Sequence, residues 1–378
     1  KKDNPELLRA QELNLAIFSF PEFVYEAAKD KKRVVIGGSH GKTSITSMML
    51  HVLQKSGRAF DYLVGAQLDG FDTMVQLSDA PLIIIEGDEY TTSPLDLRPK
   101  FLHYHHHYAC ITGIAWDHYN VFPSEQKYIS QFEAFIKQTP KNGKLYYAAS
   151  DQKLLQLMSD LGERPEWKPY HALPSEVQDH QTFLIRKNER IPLQIFGAHN
   201  LENLSVAQKL LADIGVSEDE FLKHIQSFKG ASKRMELLGQ NEHTTIIKDF
   251  AHAPSKLKAT SEAVKQQFMD RELIACLELH TFSSLNKAFI HQYAHTYDLP
   301  DEALIFIDPA TVQAKGLSMI TENDLQNAFE RDDIQLFTSA EALEKYLLSK
   351  NWSNTNLLLM SSGNFGGLSF EHIKNQII

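Results

Sequence analysis

Arg33-Val34-Val35-Ile36-Gly37-Gly38-Ser39-His40-Gly41-Lys42-Thr43 is the stretch whose reading decides the fold. Its apolar start reads as a buried strand. Beyond Thr43, Ile45, Met48, Met49, Val52 and Leu53 recur at helical spacing until Gly57 can end the helix. A glycine-containing turn between a buried strand and a helix N-terminus is the placement a phosphate-binding loop requires. Glycines lacking Cβ let backbone N–H groups wrap an anion at the positive end of the helix dipole. Lys42 would then reach the outer phosphates, and the Thr43 hydroxyl would ligate Mg²⁺. The general pattern wants a glycine six residues before the lysine, and Ile36 stands there, which disfavours a generic kinase or GTPase. The bland alternative is an ordinary strand-turn-helix with a chance Gly-Lys-Thr.

The 378 residues, 43% hydrophobic and 23% charged, are ordinary globular composition and long enough for two substantial cores. A formal net charge of -10 opposes a nucleic-acid or anionic-membrane partner, because those require a basic surface. Small-molecule substrates fit better, with a monomer or weak homo-oligomer expected. Cys110 and Cys276 each lie in an apolar run and read as buried thiols of a reducing compartment. No run of about 18 apolar residues occurs, and Lys1 to Glu6 lack the apolar core of a secretion signal. A cytoplasmic protein is expected.

Strand-like and helix-like segments alternate through the first half. Strands are predicted over 34–37, 82–86, 109–114, 145–149, 182–186 and 191–196, and helices after Thr43 and over 124–137, 200–214 and 218–227. That alternation implies an α/β fold built on a mostly parallel sheet. Lys229-Gly230-Ala231-Ser232-Lys233-Arg234 is polar and glycine-containing, the best candidate for a hinge. A second series follows, with strands over 244–249, 273–279, 303–307 and 356–360. Helices are predicted after Pro254 and over 286–294, 322–330 and 339–348, giving a smaller Rossmann-like domain. The expected divisions are 31–230 and 231–378.

Leu82-Ile83-Ile84-Ile85-Glu86-Gly87-Asp88-Glu89 is an apolar strand ending in acids, and ligands of open α/β sheets sit beyond the carboxyl ends of strands. Glu86 is expected near the phosphates. Cys110 to His118 repeats the arrangement and delivers Asp117 and His118 past another buried strand. Thr43 and Glu86 could hold a divalent cation, with Lys42 sharing the charge neutralisation. His118, an unusual Mg²⁺ ligand, could hold a second metal or orient the reacting carboxylate. Gly197-Ala198-His199-Asn200-Leu201-Glu202-Asn203 opens a helix with amides at i and i+3, which share a face and could read an adenine edge. Asn200 is equally acceptable as a helix N-cap. His103 and His105 to His107 could suggest zinc, but with no cysteine or acid close in sequence a polar insert is preferred. Ser361-Ser362-Gly363-Asn364-Phe365-Gly366-Gly367 could offer backbone N–H groups to a substrate or be only a tight turn.

Taken together these segments resemble the Mur ligases, ATP-dependent amide-forming enzymes of bacterial cell-wall synthesis. Gly38-Ser39-His40-Gly41-Lys42-Thr43-Ser44 resembles their phosphate loop, Glu86 to Glu89 their acidic strand end, and Ile111 to His118 their strand ending in Asp-His. Gly197 to Asn203 resembles their adenine motif, implying that Asn200 and Asn203 contact ATP. Lys233-Arg234 and Asp249-Phe250-Ala251-His252-Ala253-Pro254 resemble segments that cover the nucleotide after closure, implying roles for Arg234, Asp249 and His252. Within the family, the insert Tyr90 to His107, the Phe-Ala-His form and the tail from Ser361 resemble the murein peptide ligase branch. That branch joins the tripeptide L-alanyl-γ-D-glutamyl-meso-diaminopimelate to UDP-N-acetylmuramate, whereas a sister branch adds L-alanine.

The resemblance implies catalysis by Lys42, Glu86 and His118, with ATP and Mg²⁺ as cofactors and metal ligation by Thr43, Glu86 and His118. The lactyl carboxylate would be activated as an acyl phosphate and then attacked by the amine. Full-length relatives begin with a uridine-nucleotide domain. Residues 1–30 resemble only its remnant and linker, so ATP binding with a weakened grip on the sugar nucleotide is expected. Relatives also carry a modified lysine after Asp-His; Gln131-Phe132-Glu133 stand there, with Glu133 the conceivable substitute. A P-loop phosphotransferase, a non-catalytic nucleotide sensor and a folylpolyglutamate synthase-like ligase are the competing readings.

Overall fold

Apolar runs too continuous for a half-solvated strand become the centre of a parallel sheet covered on both faces. The computed structural model describes residues 2–116, 121–187, 189–231 and 234–378. They form two compact units, residues 1–174 with 200–228 and residues 175–199 with 229–378.

In the first unit, α1 (Pro5–Glu12) and α2 (Phe20–Ala28) precede the sheet, the latter started by a Ser19–Glu22 capping box. The strands are β1 (Lys32–Gly37), β2 (Asp61–Leu63), β3 (Val75–Gln76), β4 (Leu82–Glu86), β5 (Tyr108–Ile111), β6 (Lys144–Ala148) and β7 (Trp167–Tyr170). Their order is β3-β2-β4-β1-β5-β6-β7, parallel except for β2 against β3. The helices are α3 (Lys42–Lys55), α4 (Glu125–Lys137), α5 (Gln152–Leu161), α6 (Ala198–Asp213) and α7 (Glu218–Ile225). Val34, Val35, Ile36, Ile83, Ile84 and Ile85 are fully buried. Register pairs Ile36 with Glu86 on one side and with Cys110 on the other, so β1, β4 and β5 end level at one sheet edge. That alignment places the glycine turn, the acidic run and the segment after Ile111 together.

The second unit carries a small antiparallel sheet, β8 (Ser175–Gln178), β9 (Gln181–Arg186) and β10 (Glu189–Leu193). Its main sheet comprises β11 (Glu236–Gln240), β12 (Thr245–Asp249), β13 (Glu272–Glu278), β14 (Glu302–Phe306), β15 (Gln335–Phe337) and β16 (Thr355–Met360). The order β11-β12-β16-β13-β14-β15 is parallel except for β11 against β12. Helices α8 (Pro254–Gln267), α9 (Pro309–Ala314), α10 (Glu322–Phe329), α11 (Ala340–Leu348) and α12 (Phe370–Ile377) accompany it. Separate apolar clusters cover the sheet's two faces, one with Leu257, Val264 and Phe329, the other with Leu343, Leu347 and Ile373.

Several expected boundaries move for identifiable reasons. Residues 286–294, expected as a helix, form turns and a short 3₁₀ segment at Ile290–Tyr293. The Asn286 side chain accepts from Ala288 N at 2.9 Å, a local bond that competes with helix formation. Strand β5 stops at Ile111, not Ile114, because Gly113 has φ +145° and Ile114 N–H turns to the Asp151 carboxylate at 2.7 Å. Residues 175–199, expected with the central domain, group with the second unit. There Thr182 Oγ1 donates to Gln267 Oε1 at 2.8 Å, and the His180 ring lies 5.0 Å from that of Phe268.

Candidate active site

The loop between β1 and α3 is shaped by two glycines with positive φ, Gly38 at +129° and Gly41 at +77°. A Cβ at Gly38 would collide with the Thr112 side chain, and one at Gly41 would stand 2.6 Å from Asn203 Oδ1. Only glycine therefore lets the backbone take this path between β5 and α6. Ser39 N–H donates to Gly113 O at 3.0 Å, its hydroxyl accepts from Ala115 N at 3.1 Å, and Thr112 Oγ1 donates to His40 O. Ser44 sits partly buried in the first turn of α3. The result is a braced loop at the N-terminus of a 14-residue helix whose first turn has no side-chain cap. Its free N–H groups and dipole suit an anion.

Functional side chains converge on this loop. Thr43 Oγ1 donates to Glu86 Oε1 at 2.9 Å, while Gly65 N–H donates to Glu86 Oε2 at 2.9 Å. The pair presents hydroxyl and carboxylate oxygens side by side, a donor set that fits Mg²⁺. Lys42 Nζ donates to Gly38 O and pairs with Glu89 Oε2 at 2.7 Å. Burial disfavours the ammonium, but Glu89, with help from Glu86 and Asp88, outweighs it and raises the Lys42 pKa above its ordinary value. Tyr128 OH also donates to Glu89, at 3.4 Å.

Glu89 is a candidate-site residue to which the sequence reading gave no role of its own, naming it only within the acidic run Glu86 to Glu89. The only signal was a third acid in the run after β4, and its complete burial was not legible there.

Asn200 and Asn203, both largely buried, lie in the first two turns of α6. Asn203 lies against the phosphate loop at Gly41. Helix α6 starts at Ala198, so Asn200 is inside the helix and is not its N-cap. Asp117 and His118, together with Lys233, lie outside the described residues. Glu133 pairs with Lys137 at 2.5 Å along α4.

Within the second unit, Arg234, Asp249 and His252 gather around Phe250. The Arg234 guanidinium sits 4.7 Å from the Phe250 ring centroid, and the His252 ring packs against it at 5.2 Å. His252 Nδ1–H donates to Phe250 O at 2.8 Å. Asp249, at the end of β12, accepts from Met235 N and Ala251 N, each at 2.7 Å, and from Thr260 Oγ1 at 3.3 Å. Its carboxylate thus ties the Arg234 segment to β12. Burial, opposed by Asp249 and assisted by Arg234, holds the His199 imidazole below its ordinary pKa.

The Ser361–Gly367 turn uses its N–H groups internally: Gly363 N donates to Ser361 Oγ at 2.6 Å and Phe365 N to Glu278 Oε2 at 2.8 Å. That favours the tight-turn reading. The histidine insert is not simply polar, because His106 is 1% exposed and bonds Thr139 Oγ1 at 3.0 Å. Both cysteines are free and buried, and no helix among the described residues is long and apolar enough to cross a membrane.

Known proteins share both sequence and fold with this chain. Residues 36–211 match the Mur ligase middle domain. A UDP-N-acetylmuramate–L-alanine ligase of Limosilactobacillus reuteri is 30% identical over 312 residues, covering 80% of this chain and 68% of that protein. A UDP-N-acetylmuramate–L-alanyl-γ-D-glutamyl-meso-2,6-diaminoheptandioate ligase of Haemophilus influenzae is 26% identical over 382 residues, 97% of this chain and 82% of that one. In fold, the UDP-N-acetylmuramate–alanine ligase of Thermotoga maritima superposes with a TM-score of 0.69 at 18% identity, covering 100% of this chain and 82% of that chain. A phosphate loop braced against an acidic strand end, carried on this sheet and matched over this length, places the chain in the Mur ligase family of ATP-dependent amide ligases.

Proposed function

We propose that this ligase joins L-alanyl-γ-D-glutamyl-meso-diaminopimelate to the lactyl carboxylate of UDP-N-acetylmuramate in the cytoplasm, through an acyl phosphate. The observation that carries the ligase chemistry is the convergence of Lys42, the Thr43–Glu86 pair and Asn203 on one glycine loop. A carboxylate resists amines because oxide would have to leave, so a phosphoryl group from ATP must first make it reactive.

Lys42, protonated at neutral pH, and the N–H groups of the loop supply fixed positive potential where phosphoryl charge develops. Thr43 and Glu86 would hold Mg²⁺, which neutralises phosphate oxygens when bound. Gly65 N–H fixes the Glu86 carboxylate so that it need not reorganise. Asn200 and Asn203 would contact the adenine. The family resemblance implies that Arg234 and His252 would contact the nucleotide, with Asp249 positioning the Arg234 segment through Met235 N. His118 would complete the metal site or orient the carboxylate.

The tripeptide is favoured by the resemblance of the insert Tyr90 to His107, the Phe-Ala-His form and the tail from Ser361 to the murein peptide ligase branch, and by the 26% identical Haemophilus influenzae relative named for that tripeptide. The second reading is L-alanine as the amine, supported by the 30% identical relative of that name. Phosphate release from ATP and UDP-N-acetylmuramate, with tripeptide and L-alanine compared as amines, separates the two. Release without dependence on either amine would overturn the ligase reading and favour a phosphotransferase.

A further inference from the structure

His103 stands in the sequence beside three other histidines with no acid at hand, yet the fold supplies two. Glu22 from the first turn of α2 and Asp96 from the insert join His103, at the end of the 3₁₀ turn Lys100–His103, with ligand atoms all within 4.8 Å of one another. His103 Nε2 lies 3.3 Å from Asp96 Oδ2, and its side chain is 6% exposed. That nitrogen is buried and has no hydrogen-bond partner. Of the neighbouring histidines, His106 bonds Thr139 through Nε2 and leaves Nδ1 unpartnered with no acid grouped around it among the described residues, while His107 Nδ1 accepts from Arg33 N at 3.1 Å.

The spacing and support of these groups suit an ion. Two donors bound at about 2.1 Å to one tetrahedral ion stand about 3.4 Å apart, close to the separation of His103 from Asp96. Both carboxylates are held in place by protein donors, as ligating carboxylates usually are, with Arg98 bonding both oxygens of Asp96, including Oδ2, which faces His103. Asp96 accepts from Arg98 N at 2.9 Å, from its Nε at 3.0 Å and from its Nη2 at 2.6 Å, while Glu22 Oε2 accepts from Ser19 N at 2.7 Å. One imidazole with two carboxylates suits Zn²⁺ or a similar transition metal better than Mg²⁺ or Ca²⁺, which take all-oxygen sets.

We propose that Glu22, Asp96 and His103 form a binding site for a divalent transition-metal ion, with Zn²⁺ the fitting occupant, separate from the phosphate loop. The ion would pin α2 to the insert that begins just after Glu89, and so steady the segment whose Lys100 holds Asp88. The site plays a structural part, with no role in the ligase reaction itself.

The test uses the whole chain, stripped by a chelator and returned to buffer with Mg²⁺ in excess, then titrated with Zn²⁺ by calorimetry and with Co²⁺ by visible absorption. One equivalent of Zn²⁺ and a tetrahedral Co²⁺ band are expected. His103→Asn and Glu22→Gln should each weaken Zn²⁺ binding by more than about 10-fold, since even groups behind a ligand are worth about 10–100-fold. Glutamine at position 22 keeps the bond to Ser19 N–H and the capping box, so that variant decides if His103→Asn fails to fold. Absence of stoichiometric Zn²⁺ binding, or undiminished binding in Glu22→Gln, overturns the assignment.

Discussion

Replacing Glu89 with glutamine should destabilise the first unit far more than loss of a surface acid. An exposed ion pair contributes about 0–1 kcal/mol. Here the Glu89 side chain is 0% exposed, that of Lys42 is 14% exposed, and the two are 2.7 Å apart. The dominant effect is the charge left behind: removing one partner of a buried pair costs about 3–5 kcal/mol. Glutamine preserves shape and one acceptor for Lys42, which argues for the low end, about 3 kcal/mol. At about 2–4 °C per kcal/mol for a unit of this size, melting should fall by about 6–12 °C.

Lys42 adds a sign that can be checked. Its folded pKa is raised above the ordinary 10.5, so the pair's contribution is complete below that value and fades as pH climbs through the higher folded one. The gap between wild type and Glu89→Gln should be flat across neutral pH and should narrow only above about pH 10.5. Thermal unfolding followed by circular dichroism reads both effects. The double variant Lys42→Met/Glu89→Gln, carrying neither charge, should recover much of the loss. A drop below about 2 °C in Glu89→Gln, or a double variant no better than the sum of the singles, would refute the reasoning.

Other consequences follow from the same contacts. Lys42→Ala should lose about 10²-fold or more in turnover, measured as amine-dependent phosphate release on folded protein; near-normal activity would remove Lys42 from the mechanism. Gly41→Ala places a side chain at φ +77° and 2.6 Å from Asn203 Oδ1. It should weaken ATP binding by about 10-fold or more in calorimetry, the equivalent of at least 1.4 kcal/mol of the 1–3 kcal/mol strain expected there. Unaltered ATP affinity would show that the nucleotide sits elsewhere. His106 is held down to about 3 by burial first, then by His107, His105 and Arg33. Because its ordinary pKa is 6.5, the unfolded chain binds the extra proton between those values, and stability should fall as pH drops through that window. The slope is about 1.4 kcal/mol per pH unit at most; His106→Gln should flatten it in denaturant titrations, and an unchanged acid limb would contradict the burial argument.

What could be read from the sequence, and what could not, divides along physical lines. Leu82 to Glu86 was legible to the residue because a run of five non-polar and acidic positions can be buried on both faces only as a central parallel strand, and its acid must then emerge at the carboxyl end. The glycines at 38 and 41 were legible because positive φ leaves few other residues. Short edge elements such as β3 and β8 escaped, since two to four residues with mixed burial carry no period. The grouping of residues 175–199 with the second unit escaped for another reason: it depends on Thr182 meeting Gln267, 85 positions away, which no local pattern encodes.

Glu89 shows the same limit at the site itself. Its type and neighbours were visible, but a lysine in a phosphate loop is read as free to meet its ligand, and nothing local shows that a buried acid already holds it. The Lys42–Glu89 pair more than offsets the lowering that burial imposes on the Lys42 pKa. An anion entering the loop must therefore compete with Glu89 and Gly38 O for Lys42, and its charge also engages the helix N-terminus. Weakening that competition should tighten nucleotide binding even as it loosens the fold, so Glu89→Gln is expected to show lower stability alone but a larger thermal shift on adding ATP with Mg²⁺ than wild type. An equal or smaller ATP-dependent shift would mean that Glu89 does not compete for the lysine.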